Sequence, residues 1–169
     1  MSAERRRSSP YRLDRVPFEH PDAVELRDEH VRLGNQLYAD DPAAVHRGGS
    51  EGIAPSSVVA TFVAYDGDRP IGHACLRRLD GDMAGELEMK RLYVREDARG
   101  SGVADDLLVA VEQVVRDEEE APRIVIHTGD RQHAALTFYG RRGYTPIPVF
   151  APYEAVTYSL CFEKVFAGA

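Results

Sequence analysis

Apolar residues recur at two different periods along this chain. Val58-Val59-Ala60-Thr61-Phe62-Val63-Ala64-Tyr65, Ile71–Leu79 and Glu86-Leu87-Glu88-Met89-Lys90-Arg91-Leu92-Tyr93-Val94 are runs of strand length. The Asp66-Gly67-Asp68-Arg69-Pro70 and Asp80-Gly81-Asp82 clusters between them carry turn chemistry. The pattern predicts three strands in meander order, hence an antiparallel sheet. Val103, Leu107, Leu108, Val111, Val114 and Val115 instead recur at helical spacing and predict an amphipathic helix over 103–117. That helix leads to Arg123-Ile124-Val125-Ile126-His127, a further strand, and a crossover of this length favours parallel pairing.

Weaker patterns fill in the rest. Tyr11–Phe18 reads as a first strand, with Leu13 and Val16 apolar. Pro21 opens a helix to about Tyr38, with Val24, Leu26, His30, Leu33 and Leu37 towards one side. Its other face carries Glu25, Asp28, Glu29 and Arg32, as a solvated surface does. Residues 39–57 are rich in Asp, Gly, Pro and Ser and read as one long loop. A short helix over 131–142 ends at Gly143 as its C′ residue, and Thr145–Phe150 and Thr157–Val165 read as the last strands. Together these elements predict an α/β (α+β) fold. It is one domain over 11–169, a mixed, mostly antiparallel sheet of about six to seven strands flanked by helices, behind a tail at 1–10.

Composition narrows the class without deciding it. With 169 residues, 43% hydrophobic and 29% charged, the chain suits a single globular domain with its own core. The net charge of −7 argues against bulk nucleic-acid binding and leaves room for a cationic acceptor. No run approaches the roughly 20 apolar residues of a membrane helix. Met1–Pro10 lacks the apolar centre of a secretory signal and reads as a frayed tail. Cys75 and Cys161 stand alone in apolar stretches, which suits buried thiols in a reducing, cytoplasmic compartment. The six histidines show no metal-ligand spacing, so no metal is expected. Gly48-Gly49-Ser50-Glu51-Gly52 spells G-x-S-x-G, but no apolar strand precedes it and no helix follows, so a nucleophile elbow is not expected.

The strongest chemical signal lies between the strand at 86–94 and the helix at 103. Arg99-Gly100-Ser101-Gly102-Val103-Ala104 is a Gly-rich turn into a helix N-terminus, where outward N–H groups and the macrodipole favour an anion. No Lys follows, as a P-loop requires, and Asp105 stands where the third Gly of G-x-G-x-x-G belongs. Arg-x-x-Gly-x-Ala instead resembles the pyrophosphate loop of the GNAT N-acetyltransferases. Lys90-Arg91-Leu92-Tyr93-Val94 resembles that family's fourth strand, and Thr128–Tyr139, ending in Gly143-Tyr144, its next block.

The resemblance implies a GNAT-like fold that binds acetyl-coenzyme A as cosubstrate and transfers the acetyl group directly to a primary amine. It implies that backbone at Leu92, Tyr93 and Val94 pairs with the pantetheine amides and that an N–H near Leu92 polarises the thioester carbonyl. The pyrophosphate would sit on Arg99, Gly100, Ser101, Gly102, Val103 and Ala104, and Gln132, where many members carry Asn, would reach the pantetheine arm. Tyr139 occupies the position of the family tyrosine and is the candidate acid for the leaving thiolate. It is also placed to cap the helix against Tyr144. Glu86 and Glu88 lie two apart and share a strand face, so either could act as base, Glu88 first. Asp105 and Asp106 depart from the family, which often carries a basic residue near 105, and would repel a pyrophosphate if they faced it. The acceptor, a small molecule or a peptide amine, would lie against 39–57 and 145–157. A homodimer is left open. The competing reading is a coenzyme A-binding sensor or interaction module without turnover.

Overall fold

The structure, a computed structural model, describes residues 10–41 and 52–168. Its centre is a seven-stranded sheet in the order β1-β2-β3-β4-β5-β7-β6. The strands are β1 (Arg12–Arg15), β2 (Val58–Asp66), β3 (Arg69–Arg78), β4 (Leu87–Val94), β5 (Arg123–Gly129), β6 (Thr145–Ile147) and β7 (Ser159–Val165). Neighbouring strands pair antiparallel except β4 and β5, which run parallel as the crossover length predicts. The helices are α1 (Pro21–Leu37), α2 (Val103–Gln113) and α3 (His133–Arg141).

The period of 2 along β2 sorts the core into two layers. Ala60 and Ala64 join the cluster beneath α2, with Leu76, Leu87, Leu107, Val111, Ile124 and Ile126. Val63 and Tyr65 face the other way and pack with Ala23 and Leu26 of α1 and with Tyr93. The sheet is therefore covered on both faces. Cys75 and Cys161 are buried free thiols, as expected. Among the described residues no helix is long and apolar enough to cross a membrane, and no group of His, Cys, Asp or Glu is arranged to hold a metal.

Several boundaries differ from the sequence reading, each for a local reason. β1 stops at Arg15, before Pro17, which has no N–H to give a ladder. β6 ends at Ile147, ahead of Pro148. α2 stops at Gln113 and continues as a π turn over Val114–Glu118. On α1 the buried stripe is Ala23, Leu26, Arg27 and Val31, whereas Leu33 and Leu37 are exposed. Its acidic face is not merely solvated. Glu29 accepts from the Tyr93 hydroxyl at 2.6 Å and from Arg95 Nε at 3.1 Å, which clamps α1 onto the end of β4. The G-x-S-x-G lookalike falls almost wholly outside the described residues.

The end of α3 forms as the sequence predicts. Tyr144 N–H donates to Tyr139 O (3.2 Å) and Gly143 N–H to Gly140 O (3.4 Å), the paired bonds of a Schellman cap. Gly143 takes φ 84° there, a left-handed conformation that glycine adopts at no steric cost.

Candidate active site

The site begins where β4 and β5 part. They pair only at Glu88↔Val125 and Met89↔Ile126, although β4 runs on to Val94 and β5 to Gly129. Beyond Met89 the β5-side edge of β4 has no strand partner, so its backbone groups face a cleft. Past the end of β4, Gly102 takes φ 92° and caps α2, with Gly100 at φ 78° two residues before it. The first N–H groups of α2 have no intrahelical acceptor and point out of the turn. The Ser101 hydroxyl donates to Ala98 O (2.6 Å) and Arg99 Nε to Val94 O (3.1 Å), fixing the turn. Asp105 and Asp106 do not confront the loop uncompensated: Arg142 pairs with Asp105, and Tyr11 donates to Asp106 at 2.7 Å.

Inside the splay, β4 bulges. His73 pairs with Tyr93 and Cys75 with Lys90, so Arg91 and Leu92 together oppose Ala74 alone. Arg91 sits at φ 58°, unusual for a residue with a side chain. His73, wholly buried, holds this peptide in place: its Nδ1 lies 2.9 Å from Arg91 O and its Nε2 lies 3.1 Å from Arg27 Nη1. A guanidinium only donates, so Nε2 must accept and Nδ1 must carry the hydrogen given to Arg91 O. Burial drives the His73 pKa down to about 3, in keeping with this neutral tautomer. Because C=O and N–H point opposite ways across a trans peptide, fixing Arg91 O towards β3 turns Leu92 N–H towards the cleft.

The bulge opens on a cavity of about 180 Å³. On one side it is lined by Leu92, Thr128, Gly129, Gln132, Ala135 and Tyr139, and on the other by residues of α1, the sheet and the 152–158 loop. A Cβ on Gly129 would lie 2.1 Å from the Tyr38 hydroxyl, so only glycine allows α1 to close this wall. Tyr38 stacks on Tyr158 (centroids 4.1 Å) and His127 on Tyr153 (3.7 Å).

The sequence-predicted residues separate into two groups. Tyr139 and Gln132 line the cavity, as does Leu92. Tyr139 is buried, its ring set edge-on against Phe138 and Tyr144, and no group among the described residues bonds its hydroxyl. Burial raises its pKa above the ordinary phenol value. Tyr93 and Val94 contribute backbone, because their side chains pack into the two cores. Glu86 and Glu88 do not line the cavity. Glu86 precedes β4 and accepts from Arg123 Nε (2.8 Å), which also binds Glu163 (2.7 Å). Glu88 is fully buried and accepts from Arg77 Nε at 2.7 Å, while its Oε2 has no partner. Each carboxylate thus has its own arginine rather than the other as neighbour.

Residues to which the sequence reading gave no individual site role complete the chamber: His30, Arg77, Lys90, Arg91, His127 and Tyr153. Arg77 Nη1 donates to Gly52 O (3.0 Å) and Nη2 to the Tyr153 hydroxyl (3.1 Å), tying two loops to the sheet. The composition of Lys90-Arg91 was the visible signal, but only the bulge turns both into the chamber.

A splayed strand pair, a bulged strand and a glycine turn feeding a helix N-terminus are the parts that the fold brings to this end of the sheet. The family model described as acetyltransferase (GNAT) family matches residues 22–144. The chain belongs to this family. Solved structures agree in fold. A Klebsiella pneumoniae protein described as an acyl-CoA N-acyltransferase is 24% identical, with 92% of this chain and 97% of that one covered, at TM-score 0.71. The PaiA N-acetyltransferase of Thermoplasma acidophilum, in complex with coenzyme A, is 13% identical over 92% and 99%, at TM-score 0.68. A GNAT family acetyltransferase of Elizabethkingia anophelis with acetyl-CoA bound is 16% identical over 93% and 99%, at TM-score 0.62. No curated protein matches.

Proposed function

We propose that the chain transfers an acetyl group from acetyl-coenzyme A directly to a primary amine. Three features support this reading: the glycine turn at 99–104 at the N-terminus of α2, the edge of β4 left without a strand partner beyond Met89, and the bulge at Arg91 and Leu92, which opens on the cavity. The turn would hold the pyrophosphate. Backbone at 92–94 and the Gln132 amide would pair with the pantetheine arm. Leu92 N–H would donate to the oxygen that gains charge as the amine nitrogen attacks the thioester carbon. As the C–S bond breaks, the Tyr139 hydroxyl, kept protonated by burial, would give its proton to the leaving sulfur. Of the two candidate bases Glu88 is favoured, because its partner Arg77 lines the chamber while its own Oε2 has no partner, whereas Glu86 is held by Arg123 outside it. Glu88 would draw the acceptor proton through an intervening group.

One observation favours the competing reading of a coenzyme A-binding module without turnover: no carboxylate lines the chamber among the described residues. Thiol release from acetyl-coenzyme A across a panel of amines separates the two. Acyl transfer predicts amine-dependent release, with Glu88→Gln lowering turnover and leaving coenzyme A affinity within about threefold. Tight coenzyme A binding with no release for any amine sinks the transfer reading. The same effect from Glu86→Gln but not Glu88→Gln would move the base two residues along.

A further inference from the structure

The charge lining the chamber opposes the charge of the whole protein. The chain carries −7 overall, yet the chamber wall includes Arg77, Lys90 and Arg91 and, among the described residues, no Asp or Glu. Arg77 is spent on structure, since Glu88, Gly52 and Tyr153 occupy its donors. Lys90 donates to the Tyr153 hydroxyl, a neutral partner. Arg91 has no hydrogen bond or ion pair from its side chain among the described residues, and its Nε is buried without an acceptor. An unpaired buried donor on a charged group carries an uncompensated desolvation cost, and an anionic ligand on the guanidinium offsets it.

The cosubstrate is a poor candidate for that anion. Its phosphates belong to the glycine turn, beyond Val94, and three residues of strand already separate Arg91 from Val94 by about 10 Å. The thioester end that reaches Leu92 is uncharged. The remaining occupant of the chamber is the acceptor.

We propose that the acceptor is an amine bearing its own carboxylate, an amino acid or amino-acid-like molecule, whose carboxylate is bound by the Arg91 guanidinium with Lys90 beside it. This rests on the transfer reading above. The guanidinium fork suits a planar carboxylate in two-point contact. The stacked pair Tyr38–Tyr158, with Val31 and Val156, offers apolar surface for the acceptor's side chain.

The test compares L-amino acids with their matching amides and with spermidine. Thiol release is followed at saturating acetyl-coenzyme A, and N-acetyl amino acids and their amides are titrated calorimetrically into the coenzyme A-loaded protein. An α-amino group beside an amide ionises near 7.7–8.0, below that of the free amino acid, so intrinsic reactivity at neutral pH favours the amides. A preference for acids therefore runs against reactivity and reports binding. We expect at least ~10-fold higher kcat/KM for an acid than for its amide, equivalent to ~1.4 kcal/mol, and the same order in calorimetry. Arg91→Gln brings that ratio towards 1, while Arg91→Lys, which keeps the charge and loses the fork, falls between. If Arg91→Gln does not fold, Lys90→Met lowers the same ratio. Amides or spermidine used as well as the acids would overturn the proposal while leaving acetyl transfer intact. Acid-selective calorimetric binding with no thiol release would keep the anion site and remove the transfer reading. Equal or absent binding of acids and amides would overturn the anion site.

Discussion

Replacing Tyr139 by phenylalanine isolates one oxygen atom. The ring sits in the core beneath α3, edge-on to Phe138 (centroids 5.6 Å) and Tyr144 (5.5 Å), and phenylalanine keeps both contacts. No described residue bonds the hydroxyl, so its removal breaks no hydrogen bond within the protein. Stability should therefore change by less than about 1 kcal/mol, and towards stabilisation if the buried hydroxyl lacks water. Tyr139→Ala removes the ring as well, opening a cavity and unseating Tyr144 from the helix cap, at a cost of roughly 3–5 kcal/mol. If the hydroxyl serves the leaving sulfur, Tyr139→Phe lowers turnover by roughly 10- to 1000-fold, within or just below the range of one general acid. Urea melts of both variants and thiol-release kinetics of the Phe variant make the comparison. A Phe variant that melts and turns over like the parent would show that Tyr139 serves only the cap and the core.

Gly102→Val places a β-branched residue at φ 92°, its Cβ 3.3 Å from the Tyr11 hydroxyl. We expect coenzyme A affinity to fall by at least ~10-fold in calorimetry, and unchanged affinity in a folded variant would remove the glycine turn from the site. Acid should also destabilise the protein through its buried histidines. His30 and His73 both have pKa values lowered to about 3, first by desolvation, and unfolding restores about 6.5. The unfolded chain then takes up protons first, so their stability is complete above pH 6.5 and is lost as pH falls towards 3. From pH 6.5 to 5 that is roughly 1.5–2 kcal/mol for the fully buried His73 and less for His30, which is partly exposed on the cavity wall, and flat urea midpoints across this interval would contradict neutral burial.

How far the sequence reaches depends on the range of the interaction. The glycine turn and the helix cap were legible because each is a local conformational demand: positive φ at Gly102 and Gly143 follows from turn geometry within a few residues. The strands, the meander of β2 to β4 and the parallel β5 were legible from apolar runs, turn clusters and crossover length, whereas the insertion of β7 between β5 and β6 was not. Cross-strand register was not. Glu86 and Glu88 do follow the period of 2, but which cation meets each depends on what lies opposite, Arg77 on β3 and Arg123 on β5. Arg91 is a sharper case. Nothing in Lys90-Arg91-Leu92 announces a left-handed residue, because the bulge is held by His73 and Arg27, 18 and 64 positions away in sequence. The segment 145–157 was read as part of the acceptor side without any residue singled out, yet Tyr153 receives hydrogen bonds from both Arg77 and Lys90.

Net charge leaves the acceptor open for a related physical reason. Carboxylates spread over a solvated surface are screened within about 8–10 Å by salt, and water weakens what remains. Cations in the chamber act at contact distance with little water between them and a ligand, where the same charge interacts several times more strongly. Lys90 carries the mark of that setting: burial lowers its pKa to about 8, opposed by Glu88 and reinforced by Arg91 and Arg77. A lysine whose charge is disfavoured by its neighbours gains most from an added anion. The acceptor proposed above follows the same logic: a polyamine would add its charges to Lys90 and Arg91, whereas an amine with its own carboxylate would bring negative charge to them.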